Sequence, residues 1–368
     1  MNILIAASYS APFGGNFIGS MQDLGSRIRE RGDEVFFLFP KLKDTERPWV
    51  NWLRESGYEV ILADLNESGK QQADFLRDVI KTYRIDLAHL HFEIYNSLLL
   101  HDPSAFAGCK VLIHDHMGYA TGRNEWRQKA RLALNSAKFG PRGYGLITVW
   151  KRKKNAYILM SKKWYVPNGL SLKRQVAQFA DRDRTRAELG IGDDQLLVTL
   201  LGWDMKRKGV DIAVQAVSRL YSKGENVVLG LIGGDMEKYH EFIRQYGVDP
   251  DSPFIRYINS REDIYSLHRA ADVFLSASRN EGFPYSILEA VSQETPVVVS
   301  SIPETKWALQ YKKCAMYPVE DEKACSEAIA RALSFGGGDS NADEIIKQYS
   351  IDKWCDSILD KYDKMMRK

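Results

Sequence analysis

The chain alternates short, unbroken apolar runs with longer amphipathic or polar segments from end to end. In the first half the runs are NILIAA (2–7), EVFFLFP (34–40), YEVILA (58–63), LAHLH (87–91), KVLIHDH (110–116), LITVW (146–150) and WYVPN (164–168). The second half repeats the style with LLVTLLG (196–202), VVLGLIGG (227–234), FIRYIN (254–259), VFLSAS (273–278), PVVVSS (296–301) and AMYP (315–318). Runs without polar alternation predict strands buried on both faces, hence parallel sheets covered by helices. The polar stretch 171–195 separates the two series. The predicted fold is therefore α/β, with two doubly wound Rossmann-like domains facing across a cleft. The predicted boundaries are 1–170 and 171–345, followed by a C-terminal helix over 346–368. In that helix Trp354, Ile358, Leu359, Tyr362 and Met366 recur at helical spacing, so it has a face to bury and is expected to pack back on the N-terminal domain. Ligands of doubly wound sheets bind at the carboxyl ends of the strands, which points to the turns there.

Composition narrows the class. With 368 residues, 44% hydrophobic and 27% charged, the chain is globular and long enough for two cores. Cys109, Cys314, Cys325 and Cys355 lie far apart with no CxxC pair, which suits a reducing compartment and argues against a disulfide scaffold or a cysteine zinc site. The start MNILIAASYS lacks a basic n-region and reads as a first strand, and no run approaches the roughly 20 apolar residues of a membrane span. A soluble, cytoplasmic protein is expected.

The net charge of +3 hides an asymmetry. From Arg123 to Arg174 there are fourteen Lys or Arg against one acid, Glu125, so this segment carries +13 and the rest of the chain −10 (3 minus 13). Trp126, Leu132, Leu134, Phe139, Tyr157, Ile158, Leu159, Met160 and Trp164 interleave the charge. Such a run fits an anionic membrane surface or an anionic acceptor, or else a solvated face. No nucleic-acid motif accompanies it, so no nucleic-acid partner is expected.

Three turns carry candidate chemistry. In SRNEGFPYSILEAVSQ a strand ends, Gly282 permits close backbone approach, Pro284 pre-sets a helix, and the helix N-terminus with Ser286 offers donors to an anion. Glu281 and Glu289 flank that anion site and suit two hydroxyl groups of one ligand. In LLGWDMKRKGVDIAVQAV the turn after a strand holds Lys206, Arg207 and Lys208, cations able to stabilise a departing phosphate. In SAPFGGNFIGS, Gly14 and Gly15 let backbone amides close on a phosphate, although the spacing is not that of a dinucleotide fingerprint. A capped surface helix, a solvated loop and a tight turn are the plain structural alternatives.

Together these motifs resemble a retaining glycosyltransferase of family 4 with the GT-B fold. EGFPYSILE matches the family's two glutamates separated by seven residues, KGVDIAVQAV its lysine–glycine turn, YVPNGL the end of its first domain, and FGGNF its glycine loop. The resemblance implies a nucleotide-diphosphate sugar as co-substrate, no required metal or other cofactor, and a saccharide or lipid-linked acceptor. It implies that Glu289 holds the donor ribose and that Glu281 orients the donor sugar. The amides of Gly282 and Phe283 would then meet the sugar, and those from Tyr285 through Ser286 to Ile287 the phosphates. Lys208 would bind the diphosphate, Gly15 would cap it, and His116, or alternatively His114, would be the first-domain histidine. One departure stands out: after Gly202, where the family usually has arginine, this chain has Trp203, and Arg207 is the cation available to replace it. The loop around Asn259 to Arg261 is expected to contact the base.

With the basic segment, this reading implies work on bacterial cell-envelope or capsular polysaccharide at the inner face of the cell membrane. A non-catalytic nucleotide-sugar-binding protein is the alternative that Trp203 motivates, and a nucleotide-sugar epimerase a further one. HLHFE (His89, His91, Glu93) and HDH (His114, Asp115, His116) would also admit a metal hydrolase, for which the glutamate and lysine turns would have no purpose.

Overall fold

In the computed structural model, which describes residues 1–43, 47–64, 68–92, 102–118, 125–173, 181–335 and 340–367, every apolar run overlaps a strand. The first series gives β1 (Asn2–Ala7), β2 (Glu34–Pro40), β3 (Glu59–Ala63), β4 (Leu87–His91), β5 (Lys110–Asp115), β6 (Gly145–Thr148) and β7 (Lys163–Tyr165). The second gives β8 (Leu196–Leu201), β9 (Val227–Ile232), β10 (Ile255–Ile258), β11 (Val273–Ser276), β12 (Val297–Ser300) and β13 (Cys314–Tyr317). Some strands end earlier than the apolar runs: β7 ends at Tyr165, with one further bond from Val166 N to the Thr148 carbonyl (3.0 Å).

The strands form two sheets, and all their pairings are parallel. One has seven strands in the order β3-β2-β1-β4-β5-β6-β7, the other six in the order β10-β9-β8-β11-β12-β13. Each order reverses once, at β1/β4 and at β8/β11. At such a point the two crossovers leave in opposite directions, so the strand ends bound a crevice. Met1–Ser171 together with Ile351–Lys368 forms one unit, and Leu172–Ser350 the other.

In the C-terminal unit, Val198, Leu200, Leu229, Leu231, Val273 and Leu275 meet the apolar face of helix Val210–Tyr221 to make the core. In the N-terminal unit one face of the sheet is covered by helix Gly15–Glu30 and by the last helix, Ile351–Met366, whose Trp354, Cys355, Ile358, Tyr362 and Met365 are buried with Ile5, Leu24, Leu112 and Ile147. Leu359 and Met366, expected on the buried face, lie half-buried at its margin. Close approach is built in at Gly145, where a Cβ would collide with Met365 Sδ and stand 2.9 Å from Leu112 Cδ1. No helix among the described residues is long and apolar enough to cross a membrane.

Replacing fully buried Ile358 by Ala should therefore cost the N-terminal unit about 2–4 kcal/mol. Hydrogen exchange read by mass spectrometry should show the loss in β1, β4 and β5, with β8–β13 unchanged; equal loss in both units would contradict the assignment.

Candidate active site at the carboxyl ends of β8 and β11

The turn after β8 is shaped by two glycines. At Gly202 a Cβ would collide with the Tyr239 hydroxyl and stand 3.0 Å from Val210 Cγ2. Trp203 and Asp204 follow, then one helical turn, Met205–Lys208, in which the Asp204 carboxylate accepts from Arg207 N (3.4 Å). Gly209 has φ +71°, and a Cβ there would run into the Ala277 carbonyl oxygen just past β11. Only glycine combines that backbone with that approach. The lysine turn is thereby pressed against the end of β11.

The turn after β11 answers it. Arg279 N donates to the Arg207 carbonyl (2.8 Å), and its guanidinium binds both oxygens of buried Asp211 (2.9 and 2.8 Å) and Glu320 (2.8 Å). Burial lowers the basicity of Arg279, but its bonds to Asp211 and Glu320 outweigh this and leave it raised. Burial likewise pushes the Asp211 carboxyl up, while bonds from Arg279 and Lys206 hold it below the ordinary range. Lys206 is bound into this support, 2.9 Å from Asp211 and 3.1 Å from the Tyr246 hydroxyl. Of the three turn cations, two therefore face Glu281.

Glu281 is buried at the meeting of the turns. Lys208 Nζ lies 2.6 Å from its Oε1, Arg207 Nη1 3.4 Å, and Ser278 Oγ donates to the same oxygen at 2.7 Å. Burial alone would raise the Glu281 pKa; the charges of Lys208 and Arg207, with hydrogen bonds from Lys208 and Ser278, reverse the sign and hold it below the usual range. Arg207 also binds Asp204 (Nε, 2.7 Å), and its guanidinium carbon stands 4.7 Å from the centre of the Trp203 ring. Lys208 Nζ is 5.7 Å from the same ring, so Trp203 contributes a cation–π surface to both cations while remaining 62% exposed.

Beyond Gly282, the Phe283 ring anchors the turn, stacked 4.9 Å from Trp307 and tilted against Tyr349 at 5.1 Å. Pro284 occupies the N-cap of helix Tyr285–Ser292 and supplies no side-chain cap; the first turn, with Ser286 and Ile287 buried, has its positive dipole end at the strand's carboxyl end. Glu289 is buried on the same helix, 3.8 Å from Nε2 of fully buried His268. Asn259 is exposed just past β10, and Arg261 is ion-paired with Asp263.

The remaining candidates belong to the N-terminal unit. Gly14 precedes helix Gly15–Glu30, and a Cβ on it would meet Ile18 Cβ at 3.0 Å and Trp49 Cβ at 3.2 Å; Gly15 has φ +52°. The Tyr9 hydroxyl bonds the Phe13 and Gly14 carbonyls (3.1 Å each) and holds the loop. His116 lies just past β5 with Nε2 2.8 Å from His91 Nδ1. In the basic segment Lys153 is not a surface charge: it is 2% exposed, 2.7 Å from Asp115 and 3.0 Å from the Met117 carbonyl. Arg123, Arg174 and Glu93 lie outside the described residues. Trp126, Leu134, Ile158 and Leu159 are exposed, whereas Leu132, Phe139, Tyr157 and Met160 are in the core.

Sequence reasoning did not single out Asp211, Arg279 or His268. Burial of Asp211 and Arg279 against each other shows that they brace the turns. Ser278 stood in the quoted motif but received no role.

Residues 181–350 match the model of the family described as glycosyl transferases group 1, a span nearly coincident with the C-terminal unit. The alpha-galactosylglucosyldiacylglycerol synthase of Streptococcus pneumoniae is 29% identical over 212 residues, 57% of this chain. The chain spans 57% of that relative's length, and 30% to 46% of the length of the next three curated relatives. Among solved structures, a glycosyltransferase from Rickettsia africae superposes with TM-score 0.76 at 15% identity, covering 100% of this chain and 99% of that one. Anabaena HepE in complex with UDP-glucose gives 0.74 at 15% identity, covering 99% and 100%. At such identities the likeness concerns fold, and the fold is the two-unit Rossmann-like GT-B architecture.

Replacing Lys208 by Met should destabilise the C-terminal unit by about 3 kcal/mol at neutral pH, because a buried carboxylate loses its closest cation. Glu281 has a depressed folded-state pKa, so its contribution is present above the ordinary glutamate value and lost as pH falls through the depressed one. Urea midpoints of variant and wild type should therefore converge as Glu281 protonates below about pH 4. A pH-independent difference would show that Lys208 acts by packing alone.

Proposed function

We propose that the protein is a family 4 retaining glycosyltransferase that moves a sugar from a nucleotide-diphosphate sugar to an acceptor hydroxyl. The observation that carries the reading is the β8/β11 crevice, where Lys208, Arg207 and the uncapped helix Tyr285–Ser292 bring positive charge to one place beside Glu281. Glycosyl transfer from such a donor builds negative charge on the departing diphosphate, and pre-placed cations and amides stabilise it there. In this reading Lys208 and Arg207 hold the diphosphate with the first-turn amides of Tyr285, Ser286 and Ile287, and no metal is needed at the donor. Glu281 orients the donor sugar and Glu289 the ribose. The anomeric carbon–phosphate oxygen bond breaks, the acceptor oxygen bonds on the same face, and the acceptor's proton passes to the leaving phosphate oxygen. The match to the group 1 family and the GT-B neighbour in complex with UDP-glucose support the donor class.

For the acceptor, the reading is a lipid-linked saccharide at the inner face of the bacterial cell membrane, reached through the basic segment. Exposed Trp126 and Leu134 on helix Glu125–Phe139, with Ile158 and Leu159, stand among Arg127, Arg131, Lys138 and Lys151, the pairing that favours an anionic interface. A relative named as a glycolipid synthase supports the same class.

A panel of UDP-, GDP- and ADP-sugars tests the reaction by thermal shift and by release of free nucleotide. One donor should stabilise the protein and be turned over with retained anomeric configuration. Glu289→Ala should weaken binding about tenfold or more through the loss of charge-assisted hydrogen bonds. Selective binding without turnover across lipid and saccharide acceptors would leave a nucleotide-sugar-binding protein, and no binding would remove the reading.

Vesicle sedimentation tests the surface. The protein should partition onto phosphatidylglycerol vesicles in preference to phosphatidylcholine ones. Lys138→Ala with Lys151→Ala should lower that partitioning about thirtyfold, at about 1 kcal/mol per basic residue. Equal binding to both vesicles would sink the membrane assignment.

A further inference from the structure

His116, the expected first-domain histidine of the transfer reading, belongs to a cluster of four imidazoles at the carboxyl ends of β4 and β5, and that reading gives the cluster as a whole no role. His89 and His91 alternate along β4 and so share a face, and His91 pairs in register with His114 on β5, two residues before His116. The rings pack with centroids 4.1 Å apart for His89–His91, 5.0 Å for His91–His114 and 4.1 Å for His114–His116. Phe17 from helix Gly15–Glu30 and Trp354 and Tyr362 from the last helix cover them. His89, His91 and His114 are fully buried. Aliphatic side chains would fill such a layer without the cost of burying polar atoms.

The nitrogens of these three rings are arranged as ligands with outer partners. One nitrogen from each of His89, His91 and His114 lies within 4.8 Å of the others. Nε2 of His91 and of His114 are buried with no hydrogen-bond partner. Two rings have an outer partner on the far nitrogen: His91 Nδ1 is 2.8 Å from His116 Nε2, and His89 Nδ1 is 2.7 Å from the Tyr362 hydroxyl; Nδ1 of the third, His114, is 3.3 Å from His89 Nε2, a contact that an ion between the rings would replace. Metal-binding histidines are held in this way by a second partner on the far nitrogen.

We propose that His89, His91 and His114 bind one transition-metal ion of the imidazole-preferring class, Zn²⁺ foremost, in a buried three-histidine site. Zinc–nitrogen bonds of about 2.0–2.1 Å place tetrahedral ligands about 3.3 Å apart, so small ring rotations close the present spacing. Nickel, cobalt and copper suit the same donor set. Through His89 and Tyr362 the ion ties the last helix to the sheet, and through His91 it holds His116. The proposal does not depend on the transfer reading, which places no metal at the donor.

The test is the metal content of the full chain, isolated from zinc-supplemented cells and washed with chelator, by plasma mass spectrometry. About one equivalent is expected, as is visible absorption of a nitrogen-ligated ion after unfolding and refolding with Co²⁺. His114→Gln and His91→Gln should fall to about a tenth of that or less, while His240→Gln, outside the cluster, keeps it. X-ray absorption at the zinc edge of the wild type needs no variant and should show imidazole scattering. Less than about a tenth of an equivalent in both isolated and metal-refolded wild type would overturn the site. So would metal unchanged in His114→Gln, or a sulfur-only or oxygen-only shell. Each outcome is read without any glycosyl-transfer assay.

Discussion

The ion pair between Lys208 and Glu281 joins two turns that lie 73 residues apart in sequence, and much of the candidate site depends on it. It forms only because β8 and β11 are neighbours at the point where the strand order reverses, so that both crossovers leave the crevice open. Gly202 and Gly209 let the lysine turn close against Tyr239 and the Ala277 carbonyl, and Arg279 locks the turns together through Asp211. A buried ion pair is a poor source of stability, since desolvating the two charges offsets their attraction. Its value here is positional: the same geometry that neutralises Glu281 holds two cations beside a helix N-terminus.

Trp203 acquires a physical role in that frame. The indole ring lies under Arg207 and close to Lys208. The guanidinium from one turn further along is thus held against Glu281, with Asp204 as its second partner. The large aromatic face that flanks both cations is left in solvent.

The N-terminal unit follows other constraints. Its basic segment divides into a buried part, where Lys153 satisfies Asp115, and a surface part in which exposed aromatic and aliphatic side chains stand among lysines and arginines. Its sheet is closed on one face by the last helix, so residues from the two ends of the chain share one core. That helix also supplies the Tyr362 hydroxyl to the histidine cluster, the most polar object in an otherwise apolar layer.

Much was legible before the structure. The thirteen strands, the parallel sheets and the paired-glutamate and lysine–glycine turns follow from local pattern, because strand burial and turn geometry leave marks on neighbouring residues. Which charges face the crevice did not follow. Lys206, Arg207 and Lys208 are equivalent in the sequence, yet Lys206 turns to Asp211 while the other two meet Glu281. Arg279 and Asp211, or the histidines of β4 and β5, become partners only when strands distant in the chain are laid side by side. A single sequence determines what each residue can donate, accept or bury; sheet order and register decide which of those groups come within a few ångströms of one another, and electrostatics and hydrogen bonding act only over that range.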